Sequence, residues 1–119
     1  MNQDVSSFIG SSFPSVWTLE LLLLLQSERR VWRRDELIDS LRASEQVVSQ
    51  ALDSLVAGGL ATLSDDGAEY RPASEAVEAA VEQTRDLYSR KPDQVRRIIV
   101  TSSSGGIAAF ADAFRLRRD

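Results

Sequence analysis

The stretch ASEQVVSQALDSLVAGGLATLSDDGAEYRP, residues 43–72, decides the fold. Ser44 predicts a helix N-cap, because its hydroxyl accepts hydrogen bonds from the free amide groups of a first helical turn. Apolar residues at spacings of four and three then predict one face of an amphipathic helix: Val48, Leu52 and Leu55. Gly58 and Gly59 predict its end, because glycine enters the left-handed conformation of a helix C-cap without steric penalty. The first half of the stretch is therefore a helix.

The second half has the pattern of a short β-hairpin. Residues 60–64 alternate as a strand, and Asp65-Asp66-Gly67 is a turn signal. Residues 68–71 form the predicted return strand, and Pro72 ends it because proline cannot donate to a strand ladder. A helix, a double glycine and a hairpin thus follow one another.

This order of elements resembles the third helix and wing of winged helix-turn-helix domains, including transcriptional regulators of the MarR and PadR type. The resemblance extends over roughly residues 15–72, and we predict the domain over residues 14–72. It implies an α+β, mostly α, fold with additional C-terminal helices. It also implies double-stranded DNA as a partner, a homodimer, and a third helix that faces the DNA.

Two helices are predicted before this stretch, and a loose arm precedes them. Residues 1–13 are polar with isolated apolar residues, which predicts a flexible N-terminal arm. The segment that starts at Pro14 is apolar around nearly its whole circumference, so it is either a buried core helix or one shared with a second copy. Residues 30–32 predict a short strand, and residues 35–42 predict the second helix of the domain.

Further helices and a tail are predicted after Pro72. Residues 73–101 form C-terminal helices, and the first of them either covers the domain's own core or builds a dimer. Residues 102–106, SSSGG, have the composition of a linker. Residues 107–119 form an amphipathic tail whose Phe110 and Phe114 lie four residues apart, so they either bind a partner protein or pack on this chain or a second subunit.

Composition narrows the classes of function. The 119 residues include no cysteine and no histidine, which excludes thiolate chemistry, zinc sites built from these ligands and histidine-based catalysis. We therefore predict no enzyme, no metal and no cofactor. The N-terminus lacks the pattern of a secretory signal and no apolar run is long enough to span a bilayer, which predicts a cytoplasmic protein without membrane contact.

Candidate DNA-binding residues follow from the chemistry of the duplex. Gln46, Ser49 and Gln50 are predicted on the exposed face of the third helix, where glutamine amides suit base edges in the major groove. Phosphate contacts require cations, and the sequence clusters arginines just before this helix. Those predicted to hold phosphates are Arg33, Arg34 and Arg42.

The charge pattern also supports a different function. The net charge is −4, the third helix has no Lys or Arg, and the hairpin carries Asp65, Asp66 and Glu69. A wing that enters a minor groove normally carries basic residues. The alternative is a protein–protein interaction module of the same fold, which binds a partner in a regulatory complex through its acidic helix and wing or through the tail with Phe110 and Phe114.

Overall fold

The computed structural model describes residues 2–102, and within this range the chain is mainly helical with one small antiparallel sheet. This confirms the predicted α+β, mostly α, class. In chain order the elements are α1 (Asn2–Ser12), α2 (Val16–Ser27), α3 (Arg34–Leu41), α4 (Glu45–Ala57), β1 (Ala61–Ser64), β2 (Gly67–Tyr70), α5 (Glu75–Arg90) and α6, which is described over residues 92–102.

Helix α4 forms as the sequence predicts. The Ser44 hydroxyl accepts a hydrogen bond from the Val47 amide at 3.1 Å and caps the first turn. The predicted inward residues are all buried: Val48, Ala51, Leu52 and Leu55. The helix stops at Gly58, and Gly59 takes the left-handed conformation with φ of 75°.

The hairpin is fixed to the segment before α3 by a bridge at Trp32. Ser64 pairs with Gly67 across a two-residue turn, so Asp65 and Asp66 form its tip. Trp32 donates its amide to the Ala68 carbonyl at 2.7 Å and accepts from the Ala68 amide at 2.8 Å. Of the predicted strand over residues 30–32, only Trp32 pairs. Gly67 is required because its φ is 146° and a Cβ there would lie 2.0 Å from the Trp32 carbonyl oxygen.

The hydrophobic core lies mainly between α2 and α4. Helix α2 contributes four fully buried leucines: Leu19, Leu21, Leu22 and Leu25. Its other side is less enclosed, because Leu23 and Leu24 are half-buried and Trp17 is 43% exposed. This agrees with the core-helix interpretation of α2, while sharing of the helix with a second copy stays a prediction.

The prediction of a flexible arm over residues 1–13 is wrong for the part of it that the structure describes. This segment forms α1, and Val5, Ile9 and Phe13 are buried against the rest of the chain. They follow one another at spacings of four, with Val5 and Ile9 on α1 and Phe13 just after its end, so they form one stripe rather than isolated apolar positions. Close approach of α6 adds to the packing, since a Cβ at Gly10 would lie 2.5 Å from the Ser102 hydroxyl oxygen.

Helices α5 and α6 pack on the same chain. Val81 and Thr84 of α5 are buried, and Val95 and Ile99 of α6 are buried with them in the common core. Helix α5 thus covers its own domain, and its use in a dimer stays a prediction. Ser102, the first residue of the predicted linker, is still helical; the remainder of the linker and the tail lie outside the described residues.

None of the described helices is by itself long and apolar enough to cross a bilayer. Val5–Ser12 and Val16–Ser27 meet the requirements of length and composition only when taken together, and they are bent by 106° at the break between them.

Candidate functional site

The exposed surface of α4 carries the predicted base-contacting residues. Gln46 and Gln50 are exposed, and Ser49 between them is half-buried. Glu45 and Asp53 flank them on the same helix and are also exposed. We call these five residues the α4 face. It presents two amides to solvent on either side of the half-buried Ser49, and its formal charge is negative.

Two of the predicted phosphate-binding arginines begin helix α3, next to the α4 face. Arg33 is the N-cap residue, and its guanidinium contacts Asp35 at 2.9 Å. Arg34 is the first helical residue, and its guanidinium donates a hydrogen bond to the Ser49 hydroxyl. This contact places a cation directly on the α4 face, and because Ser49 is neutral it leaves the arginine charge uncompensated.

Arg42 occupies the turn between α3 and α4. It is the C-cap of α3 and has φ of 54°, a left-handed conformation that is uncommon for residues other than glycine. Its side chain is exposed and forms no ion pair with any of the described residues. We call Arg33, Arg34 and Arg42 the arginine edge, because they border α4 from the α3 side.

The two arginines before Trp32, unlike Arg34, form ion pairs with acidic side chains. Arg29 contacts Glu78 of α5 at 2.6 Å and lies over the Tyr70 ring, 5.0 Å from its centroid. Arg30 contacts Glu28 at 3.0 Å and Glu36 at 3.3 Å, and its guanidinium stacks 3.9 Å from the Trp32 ring centroid. Both guanidinium charges are therefore paired with acidic side chains of the same chain.

The start of α3 is held by Glu36. Its carboxylate accepts the Arg33 amide at 2.8 Å, and the Arg30 guanidinium also contacts it. The amide hydrogen bond, followed by that from Arg30, lowers the pKa of Glu36 below its ordinary value of 4.5. Glu36 thereby fixes the backbone that carries Arg33 and Arg34.

A cleft of about 260 Å³ separates the start of α3 from the hairpin. We call it the hairpin cleft. Apolar side chains line its interior, and among them Leu63 of β1 is 42% exposed. Arg33 and Arg34 lie on one side of it, and Asp65 and Asp66 lie on the other. Neither aspartate side chain forms an ion pair with the described residues.

The structure brings most of the predicted site residues together. Arg34 contacts Ser49 of the α4 face, Arg33 directly precedes it, and Arg42 lies at the opposite end of α3, just before α4. The second basic group that the sequence contains, Lys91, Arg96 and Arg97, does not line the hairpin cleft, and Arg96 contacts Asp93 and Tyr88. Phe110 and Phe114 of the tail lie outside the described residues. Within residues 5–102, no group of acidic side chains has the arrangement of a metal site.

Glu36 and Leu63 were not among the predicted site residues, although the sequence indicates Asp35 and Glu36 as residues that suit a helix N-terminus. For Glu36 a signal exists, since an acidic residue at the third helical position often accepts the N-cap amide. Leu63 has no such signal, because an apolar residue in an alternating strand is expected to face the core. Comparison with protein-family models, curated proteins and solved structures gave no match to this chain.

Proposed function

We propose that residues 14–72 form a winged helix-turn-helix domain and that the chain is a DNA-binding transcriptional regulator. In this proposal α4 enters the major groove, where Gln46, Ser49 and Gln50 face base edges. The arginine edge holds phosphates on the side of α3. The hairpin takes the place of the wing.

One observation carries the proposal: Arg34 of α3 hydrogen-bonds Ser49 of α4. A cation with uncompensated charge thus borders the amides and hydroxyl of the α4 face. Duplex recognition needs this combination, because phosphate contacts supply affinity and groove-facing polar side chains supply sequence preference.

We also propose that the regulator binds as a homodimer. Dimeric helix-turn-helix proteins place two recognition helices about one helical turn of DNA apart, so they bind two half-sites of a palindrome. The exposed side of α2 at Trp17 is one surface that a second copy would cover. The dimer therefore predicts a palindromic site.

The test is selection from fragmented genomic DNA of the source organism by the full-length protein at about 0.1 M salt, where weak phosphate attraction is already partly screened. Sequencing of the retained fragments should reveal one enriched palindromic sequence. A matched selection with Arg33→Ala/Arg34→Ala protein should retain much less DNA. A folded wild-type protein that enriches no sequence would contradict the proposal.

A second candidate function is supported by the negative charge of the same surface. Between Ala43 and Gly59 there is no Lys or Arg, and the hairpin tip is Asp65-Asp66. These features suit a basic partner protein, with the tail that contains Phe110 and Phe114 as an additional contact. The chain would then be an interaction module in a regulatory complex.

This candidate is tested by affinity purification from the source organism with two variants in parallel. One lacks residues 107–119, and the other carries Glu45→Gln/Asp53→Asn on the α4 face. Loss of an identified partner with one variant alone assigns the contact to that region. A partner that both variants retain would reject both surfaces.

A further inference from the structure

The acidic hairpin tip is held in a fixed place beside the arginine edge. Trp32 and Ala68 exchange two backbone hydrogen bonds, and Trp32 directly precedes Arg33. The turn itself is tightened by the Asp66 amide, which donates to the Ser64 hydroxyl at 3.3 Å. The hairpin therefore cannot move away from the start of α3 without breaking the bridge at Trp32.

The arginines on one side of the hairpin cleft and the aspartates on the other differ in how many of their charges are ion-paired. Arg33 contacts Asp35 and Arg34 has no ion pair with the described residues, and neither Asp65 nor Asp66 has one, so one unpaired cation lies across the cleft from two unpaired carboxylates. A phosphate held at Arg33 and Arg34 would thus lie near two uncompensated carboxylates. Like charges that line one cleft repel, and the repulsion grows as salt is lowered because screening weakens.

We propose that the Asp65-Asp66 turn is an electrostatic barrier that lowers duplex affinity at the arginine edge, whatever the DNA sequence. This inference rests on the proposed DNA-binding function and goes beyond it by assigning the hairpin a negative role. A basic wing strengthens attachment to a minor groove. This hairpin instead keeps binding weak unless Gln46 and Gln50 gain base contacts, so the protein leaves unrelated DNA readily.

The test compares affinities for a short duplex of mixed sequence, measured by fluorescence anisotropy with full-length proteins. Asp65→Asn/Asp66→Asn should bind about threefold to tenfold more tightly than wild type at ~0.05 M salt, with a smaller gain at ~0.2 M. Asparagine is favoured in tight turns, so the hairpin should be retained. Asp65→Lys/Asp66→Lys should bind more tightly still and steepen the salt dependence by about two units.

The matched control is Asp86→Asn/Asp93→Asn, which makes the same change in net charge on α5 and α6, away from the hairpin cleft. It should change affinity by less than about twofold. An equal gain from the control would overturn the inference, because the effect would belong to the net charge of the chain.

Two results separate failure of this inference from failure of the proposed function. If wild type binds the duplex and Arg33→Ala/Arg34→Ala weakens binding, but the asparagine variant equals wild type, the barrier alone is rejected. If no variant binds at ~0.05 M salt, including the lysine variant, the DNA-binding function is rejected with it. A cooperative thermal unfolding transition confirms that each variant is folded. If a double variant at the hairpin is not folded, the single variant Asp66→Asn takes its place.

Discussion

One pair of adjacent arginines lies on each side of Trp32 in the sequence, and the two pairs make different contacts. Arg29 and Arg30 precede the tryptophan and contact acidic side chains of α5, of α3 and at the end of α2. Arg33 and Arg34 follow it; one contacts a neighbouring aspartate and the other a neutral hydroxyl on α4. The bridge at Trp32 separates the two pairs.

The difference shows that a cluster of like charges along a sequence is not a single site. Where the chain passes the hairpin at Trp32, Arg29 on the preceding side contacts α5, whereas Arg34 on the following side contacts α4. Ion pairs between exposed side chains contribute little to stability, so the first pair is not required for the fold. Of the second pair, Arg33 is paired with Asp35, whereas Arg34 forms no ion pair with the described residues and contacts only a neutral hydroxyl.

The largest expected effect comes from removal of the Trp32 side chain. Trp32→Ala should lower the free energy of unfolding by about 3–5 kcal/mol, because a buried aromatic side chain is lost and a cavity is left. Urea denaturation measures this. Trp17→Ala is the matched control, since that tryptophan is 43% exposed and should cost far less. Equal losses would mean that burial of the Trp32 side chain contributes no more to stability than that of the half-exposed Trp17.

Two double variants test whether the two arginine pairs differ in their contribution to DNA binding. Arg33→Ala/Arg34→Ala should weaken binding to mixed-sequence duplex about tenfold or more at ~0.1 M salt and reduce the salt dependence by about two units. Arg29→Ala/Arg30→Ala removes the same charge from the first pair and should leave affinity within about twofold. Anisotropy titrations over a range of salt concentrations give both quantities. Identical losses from the two variants would erase the distinction between the pairs.

A smaller effect is expected on the α4 face. Gln50→Ala should reduce discrimination between the preferred site and single-base variants by about 1 kcal/mol at the contacted base pair. Binding to unrelated duplex should stay the same, because no cation is removed. Competition binding with a set of single-base variants measures the change. Uniform weakening on all sequences would instead place Gln50 against the backbone.

The smallest expected effect concerns the start of α3 and its dependence on pH. The pKa of Glu36 is lowered in the folded chain, so its charge stabilises the fold above its ordinary pKa of 4.5. That contribution is lost as pH falls through the folded pKa. Glu36→Gln should therefore be less stable than wild type at pH ~7, and the difference should shrink towards pH ~3. Urea denaturation at both pH values measures it; a difference independent of pH contradicts the assignment.

Much of the central stretch was predictable because its signals are local. Ser44, the apolar spacing of α4 and the Gly58-Gly59 end act over at most one or two helical turns, and the hairpin follows from its turn residues. The five residues of the α4 face were predicted as exposed, and the structure leaves four of them exposed and Ser49 half-buried. Helix α1 was missed, because its stripe is stabilised only by packing against distant helices.

The sequence by itself determined that α4 exists, which of its sides is buried, and that a tight acidic hairpin follows. Only the tertiary structure decided which arginines remain available beside α4. Arg29 contacts Glu78, which is 49 residues away in the sequence, and Arg34 contacts Ser49, which is 15 residues away. The physical reason is range: helix caps, periodicity and turns are properties of neighbouring residues, whereas the partner of a charge depends on which elements the core brings together.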